Sequence, residues 1–207
     1  MSIKEEVRLL KREHILAKAE QLFHERGYRA TSLDAIAEAM DMTKPFVYGA
    51  FDKKSDILAE IYRRIVNKTL HALDEAITME ASPTRRLHTF AILLTRVVID
   101  NQSGVSVFFR EEGSLDHDKA NEINAMKSHF DLRLACLLDE GVHAGEFSIR
   151  DTRMASLAIG GLISWVYVWY RKDGRLDPQT IAENMAEMVL KLVGAPPLND
   201  MPEMEKR

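Results

Sequence analysis

The sequence predicts an all-α protein. Apolar residues recur at three- and four-residue intervals along nearly the whole chain, and alternating strand-like runs are missing. Gly, Pro and Ser/Thr/Asp signals fall between the periodic stretches, where helices start and stop.

Ile15, Leu16, Ala19, Leu22 and Phe23 share the inner face of a first helix, which Gly27 can end in a left-handed conformation. Thr31-Ser32 opens a short second helix, with Asp34 near its positive end and Ile36, Ala37 and Met40 turned inward. After a turn at Asp41-Met42, Thr43 is placed to cap a third helix reaching Phe51, and Pro45 is tolerated in its first turn. From Lys53 a long helix carries Ile57, Leu58, Ile61, Tyr62, Ile65, Leu70, Leu73 and Ile77 inward, and Ser82-Pro83 punctuates its end. The next runs from about Pro83 to Asp100 with Leu87, Phe90, Leu94 and Val97 inward, until Ser103-Gly104 breaks it before VSVFFREEG. Asp116 can cap a helix holding Ile123, Met126, Phe130, Leu134, Leu137 and Leu138 to about His143, and Gly141 to Ser148 reads as a loop. Asp151 or Thr152 starts an apolar helix reaching about Arg171, with Gly174 at its exit. Asp177-Pro178 is an N-cap followed by a favoured proline. The last helix places Ile181, Met185, Met188, Val189 and Leu192 on one face, and Gly194 with Pro196-Pro197 stops it.

Length and composition bound the class. The 207 residues are 46% hydrophobic and 29% charged with net charge -4, the profile of a folded globular chain rather than a disordered or fibrous one. The start MSIKEEVRLLKREH lacks a signal-peptide core, and Cys136 has no intrachain partner, so a reducing, cytoplasmic setting is expected. The run MASLAIGGLISWVYVWY is uncharged and about as long as the shortest membrane spans. Its Ser156, Ser164 and Gly160-Gly161, and its amphipathic flanks, favour a helix buried in a core or subunit interface over a membrane span.

Two short helices joined by a tight turn and backed by a third form the frame of a helix-turn-helix DNA reader. The stretch from Ile15 to Lys54 has that frame, with Thr43 to Phe51 as the helix that enters the major groove. Its start offers the Thr43 hydroxyl, the Lys44 ammonium and helix N-terminal amides to phosphates or bases, and Tyr48 adds a phenol one turn on. Residues 1–55 hold 10 Lys and Arg against 9 Asp and Glu, and the remainder 18 against 23, so the charge asymmetry has the right sign. Lys4, Arg8, Lys11 and Arg12 precede the first helical core. They read either as an arm that reaches phosphates or as a solvated helix start interleaved with Glu5, Glu6 and Glu13.

The segment ILAKAEQLFHERGYRATSLDAIAEAMDMTKPFVYGAFDKKSDIL resembles the N-terminal domain of the TetR family of transcriptional regulators. Ala19, Leu22, Phe23, Gly27, Tyr28, Thr31, Ile36, Ala37, Thr43, Lys44, Tyr48, Phe51, Lys54 and Leu58 carry the resemblance in register. It implies that Thr31 caps the second helix and touches a phosphate beside Ser32. It further implies that Thr43, Lys44, Pro45 and Phe46 face the groove, that Tyr48 holds a phosphate, and that Lys54 grips the backbone. Three positions depart from the family's pattern: Asp41 and Pro45 stand where glycine is frequent, and Ala50 where histidine is common. The family resemblance implies a DNA-binding domain over 1–52 and a ligand-binding and dimerisation domain over 53–197, followed by a flexible tail over 198–207. The partners it implies are a palindromic double-stranded operator, a small-molecule effector and a second copy of the chain, with no membrane. Repression relieved by the effector is the expected mode; a helical ligand-binding protein that has lost DNA reading is the alternative.

For an effector pocket, Phe90, Arg96, Phe109, Arg110, Met126, His129, Phe130, Arg133, Trp165 and Trp169 are the candidates, because aromatic walls with a few cations suit a long apolar anion such as an acyl-CoA. Plain core and structural ion pairs are the competing readings of the same residues. Trp169-Tyr170 followed by RKDGRLDP resembles a segment of TetR-type regulators that respond to acyl-CoA, so Arg171, Lys172 and Arg175 either meet CoA phosphates or form a solvated loop. No cofactor, metal site or catalytic residue is expected: there is no Gly-rich phosphate loop, no nucleophile elbow and no His pair at metal spacing. Asp116-His117-Asp118 and Glu111-Glu112 are neighbours whose side chains diverge on a helix. Cys136 falls at helical spacing within an apolar face and reads as a buried thiol.

Overall fold

The computed structural model describes residues 2–196, which hold α-helices and no strand. The helices are α1 (Ile3–Arg26), α2 (Leu33–Ala39), α3 (Lys44–Tyr48), α4 (Lys54–Ile77), α5 (Pro83–Asp100), α6 (Gln102–Arg110), α7 (His117–His143), α8 (Thr152–Ser164), α9 (Val166–Trp169) and α10 (Pro178–Leu192). Pro197 and the tail expected beyond it lie outside the described residues. The chain divides into two compact units: one holds the chain up to Val66 with Gln102–Asn124, the other Asn67–Asn101 with the chain from Ala125 onward. α4 and α7 each supply residues to both.

In the first unit, α1 begins at Ile3, where the Ser2 hydroxyl accepts from the Glu5 amide. Lys4, Arg8, Lys11 and Arg12 are therefore on a helix rather than an extended arm, and Arg8 pairs with Glu5 at 2.9 Å. Interleaved opposite charges three apart make that start a helix. Ile15, Leu16, Ala19, Leu22 and Phe23 are buried as expected. Gly27 ends α1 at φ 86° and ψ 151°, a positive φ with extended rather than left-handed helical ψ.

The expected break at Ser103-Gly104 falls instead at Asn101, whose side-chain amide donates to the Val97 carbonyl at 2.7 Å and ends α5. Ser103 and Gly104 lie inside α6. The Ser103 hydroxyl donates to Glu20 at 2.5 Å, and a Cβ on Gly104 would press on Ile65 and Glu20. Glycine is needed here for close approach to α1 and α4, not for a break. Tyr62 is buried against Phe108, ring centroids 4.8 Å apart, and donates to the Val107 carbonyl.

Charged groups tie the start of α4 to the start of α7 within this unit. Lys119 lies 2.5 Å from Asp56 and 3.1 Å from Asp116, and the Ser55 hydroxyl donates to Asp116 at 2.9 Å. Two turns further on, Arg63 reaches Glu122 through two nitrogens, at 2.8 and 3.1 Å.

In the second unit, Leu87, Phe90, Ala91 and Leu94 of α5 are buried in a core shared with Ile159 and Ile163 of α8 and Ile181, Ala182, Met185, Ala186 and Val189 of α10. The caps fall where the sequence puts them: Ser82 on α5, Asp151 on α8, and Asp177 before Pro178 on α10. Four expectations are corrected. Gly141 is helical and open to the ring of Phe147, which folds back over it while the Gly141 carbonyl accepts from the Glu146 and Phe147 amides. The apolar helix is two pieces, because a tight turn at Trp165 precedes Val166 to Trp169, a run of β-branched and aromatic residues with weak helix preference. Met188 and Leu192 are exposed, at the edge of the buried face of Ile181, Met185 and Val189. Cys136 is exposed, on the side of α7 away from the stripe of Leu134, Leu137 and Leu138.

Asp116 is held below the usual carboxylate range by the Ser55 hydrogen bond and then by Lys119. Burial opposes ionisation of Asp56, but the Lys119 hydrogen bond and the Lys53 amide outweigh it and the net shift is also downward. Carboxylates with lowered native values stabilise the fold fully above about pH 4, and that contribution is lost as pH falls through the native values. Urea midpoints are expected to fall between about pH 5 and about pH 3, and to fall less steeply in Lys119→Met. Equal slopes for the two proteins would show that this tie is energetically idle.

Candidate nucleic-acid interface

The expected reading helix spans Lys44–Tyr48, shorter than Thr43 to Phe51, because hydrogen bonding tightens at its end: the Ala50 amide bonds Val47, three residues back. Asp41 sits at φ 53° in the turn between α2 and α3. A left-handed residue is what the turn requires, and aspartate accepts that conformation where glycine is frequent.

Neighbouring elements hold α3. Val47 is completely buried. Arg12 of α1 donates to the Ala50 carbonyl at 2.6 Å and lies over the Phe51 ring at 4.1 Å, while Lys11 lies over the Phe46 ring at 4.3 Å. These are cation–π contacts from one helix turn to an aromatic within α3 and another just beyond it. Phe46 is half-buried by this arrangement, whereas Thr43, Lys44, Pro45 and Tyr48 are exposed.

The other expected DNA contacts divide. Thr43 takes the N-cap position of α3 without a side-chain cap hydrogen bond. The cap of α2 is Ser32, whose hydroxyl accepts from Ala35 at 3.0 Å, and not Thr31. Thr31 is 1% exposed and donates to the Gly27 carbonyl at 2.9 Å, closing the end of α1 from inside. Lys54 is half-buried, donates to the Tyr28 carbonyl at 2.7 Å and lies 4.1 Å from the Tyr28 ring centre. Burial holds its ammonium below the usual lysine range.

Asp34, which the sequence marks only as a helix-start acid, joins the site. One carboxylate oxygen is 2.6 Å from the Lys44 ammonium and the other accepts from the Tyr48 hydroxyl at 3.2 Å. The Lys44 hydrogen bond holds Asp34 below the usual carboxylate range, and the same contact raises Lys44. The spacings of ten and fourteen residues cross the turn, so no periodicity within one helix signals them.

The candidate effector residues do not form one group. In the second unit Phe90 is completely buried, with its ring 6.0 Å from that of half-buried Phe130. Met126 is half-buried nearby in sequence, and His129 is exposed. Arg133 pairs with Asp74, and Arg96 donates to Gln179 at 2.7 Å. Trp165 and Trp169 are exposed, as are Arg171, Lys172 and Arg175. Arg96 lines a cleft of about 440 Å³ between α4 and α5, with Lys68, His71 and Glu75. Phe109 and Arg110 belong to the first unit, exposed; Arg110 donates to the His24 carbonyl at 3.3 Å. Two half-buried titratable groups of the second unit were not signalled by the sequence: burial lowers His88 of α5 and raises Asp131 of α7. Among the described residues no cluster of His, Cys, Asp and Glu could hold a metal, and no helix is long and apolar enough to cross a membrane.

The turn at Asp41 generates a clean test. Asp41→Gly is expected to keep or raise the unfolding free energy, and Asp41→Val to lose about 1–2 kcal/mol in urea unfolding. Equal stability of the two variants would contradict the left-handed assignment.

Comparison with known proteins agrees with this geometry. Residues 15–61 match the tetR family of bacterial regulatory proteins, and residues 80–193 the tetracyclin repressor-like C-terminal domain. The chain is 26% identical over 192 residues to the HTH-type transcriptional repressor KstR2 of Rhodococcus jostii, covering 90% of this chain and 92% of that one. A tetR-family regulatory protein from Rhodococcus RHA1 superposes with a TM-score of 0.85 at 26% identity, over 90% of this chain and 98% of the other. AibR, solved with isovaleryl coenzyme A and operator DNA, superposes with a TM-score of 0.78 at 26% identity, over 86% and 97%. The chain belongs to the TetR family of helix-turn-helix transcriptional regulators.

Proposed function

We propose that this protein is a cytoplasmic, homodimeric repressor that leaves a palindromic operator when a small molecule binds its second domain. The observation that carries the reading is α3 itself, a short helix held rigidly by α1 and α2 with Thr43, Lys44, Pro45 and Tyr48 exposed along it. Ser32 and Lys54 flank it from the neighbouring helices, and Phe46, on α3 itself, is half-buried beneath Lys11. In this reading residues 1–52 read DNA and residues 53–197 bind effector and partner.

Dimerisation is supported by apolar surface left exposed on α8, α9 and α10, including Met154, Leu157, Trp165, Trp169 and Met188. Surface of this kind is normally covered. A twofold pair would offer two copies of α3 to half-sites roughly 34 Å apart. For the effector, AibR's complex with isovaleryl coenzyme A supports an acyl-CoA, with half-buried Phe130 and Met126 as apolar wall beside Phe90 and, within the same unit, Arg96 and Arg133 as partners for anionic groups. An effector changes DNA affinity only by favouring one arrangement of the protein over another, and α4, which serves both units, is the element through which the bias would pass.

Selection of bound genomic fragments by the purified protein, followed by titration with acyl-CoA compounds, tests the reading. One palindromic site, released by a thioester, is the expected result. Lys44→Ala should weaken operator binding by about 1–3 kcal/mol if the ammonium meets a base. No enrichment even at low salt would overturn DNA reading and leave a helical ligand-binding protein.

A further inference from the structure

We infer that Asp34 is a specificity-determining residue of the DNA site: it holds Lys44 and Tyr48 away from non-cognate phosphates and releases their binding energy fully only at the operator. The inference rests on the proposed DNA-reading function. One carboxylate engages both side chains at once, with Lys44 at 2.6 Å and Tyr48 at 3.2 Å, and it approaches them from α2 across the turn. All three side chains stay open to solvent: Asp34 and Lys44 keep 43% and 67% of their side-chain surface, and Tyr48 is 47% exposed. An ion pair this exposed adds little to folding. Its consequence lies in what the face offers to a ligand.

That ligand is polyanionic. On a random duplex the available acceptors are phosphates, and Lys44 can serve one only by leaving Asp34. The carboxylate is then uncompensated beside a phosphodiester, a repulsion that offsets part of the new contact. A cognate base edge can also donate. The amino groups of cytosine and adenine in the major groove are partners for a carboxylate, so Asp34 can exchange Lys44 for a base and free the ammonium at no net loss of partners. Random sequence is thereby penalised and a matching site is not, which is discrimination by repulsion as much as by attraction. An acid in the first turn of α2 also favours that helix through its dipole, so the test needs a readout that helix stability does not move.

The experiment compares wild type, Asp34→Asn, Lys44→Met and the double variant on the selected operator and on a random duplex of equal length, across a salt series. Thermal midpoints accompany each protein. Asp34→Asn is expected to bind random duplex about fivefold to tenfold more tightly, to bind the operator no more tightly than before, and to steepen the salt slope on random duplex by about one charge. In the Lys44→Met background the gain on random duplex should shrink to the part supplied by relief of phosphate repulsion and release of Tyr48, and Asp34→Glu should retain the wild-type ratio. An unchanged or increased ratio of operator to random affinity in Asp34→Asn overturns the inference, as does an equal gain with and without Lys44. Wild-type protein that binds neither duplex would instead refute the DNA-reading function itself.

Discussion

A helix of five residues cannot hold itself together in water, so the position of α3 is imposed by what surrounds it. Everything the first unit presents to DNA depends on that imposition. Val47 anchors α3 from below, and Arg12 fixes the chain just beyond it by a hydrogen bond to Ala50 and a face contact with Phe51. Lys11 covers Phe46. α1 can perform this service because it is 24 residues long and buries its own inner face independently of α3. Lys11 and Arg12, which the sequence leaves open as phosphate contacts, therefore brace α3.

The same economy shapes the rest of the first unit. Thr31 spends its hydroxyl inside, on the end of α1, and Ser32 takes the cap, so adjacent hydroxyls divide between closing one helix and opening the next. Lys54 is bound to Tyr28, and Tyr28 stacks edge-on against Phe23 at 5.1 Å, which fixes the start of α4 against the end of α1. Ion pairs between α4 and α7 continue the connection, Asp56 with Lys119 and Arg63 with Glu122. The second unit combines an apolar core of α5, α8 and α10 side chains with exposed tryptophans and methionines.

Local chemistry was legible in the sequence wherever a helix end is set by its own residues. Ser82-Pro83, Asp151 and Asp177-Pro178 cap helices where they were expected to, and the buried face of α1 follows its apolar spacing. The turn at Asp41 was legible for the same reason, because few residues tolerate a positive φ. Features decided by a partner distant in sequence were not. Gly104 looks like a helix breaker until Glu20 and Ile65 press against it, and Gly141 looks like a loop residue until Phe147 covers it. Cys136 lies on the side of α7 away from the buried stripe of Leu134, Leu137 and Leu138, as a 3.6-residue period requires. Asp34 gave no local signal of its link to Lys44 and Tyr48, because the link exists only once the turn has brought α2 and α3 together.

Amide exchange across the HTH segment, with and without operator duplex, bears most directly on the claim that an externally braced α3 is the reading element. The account predicts that duplex slows exchange at the amides of α3 and at the start of α2, where Ser32 caps, with smaller effects along the inner face of α1. Protection confined to the second unit, or none in α2 and α3 under conditions of saturated binding, would contradict it.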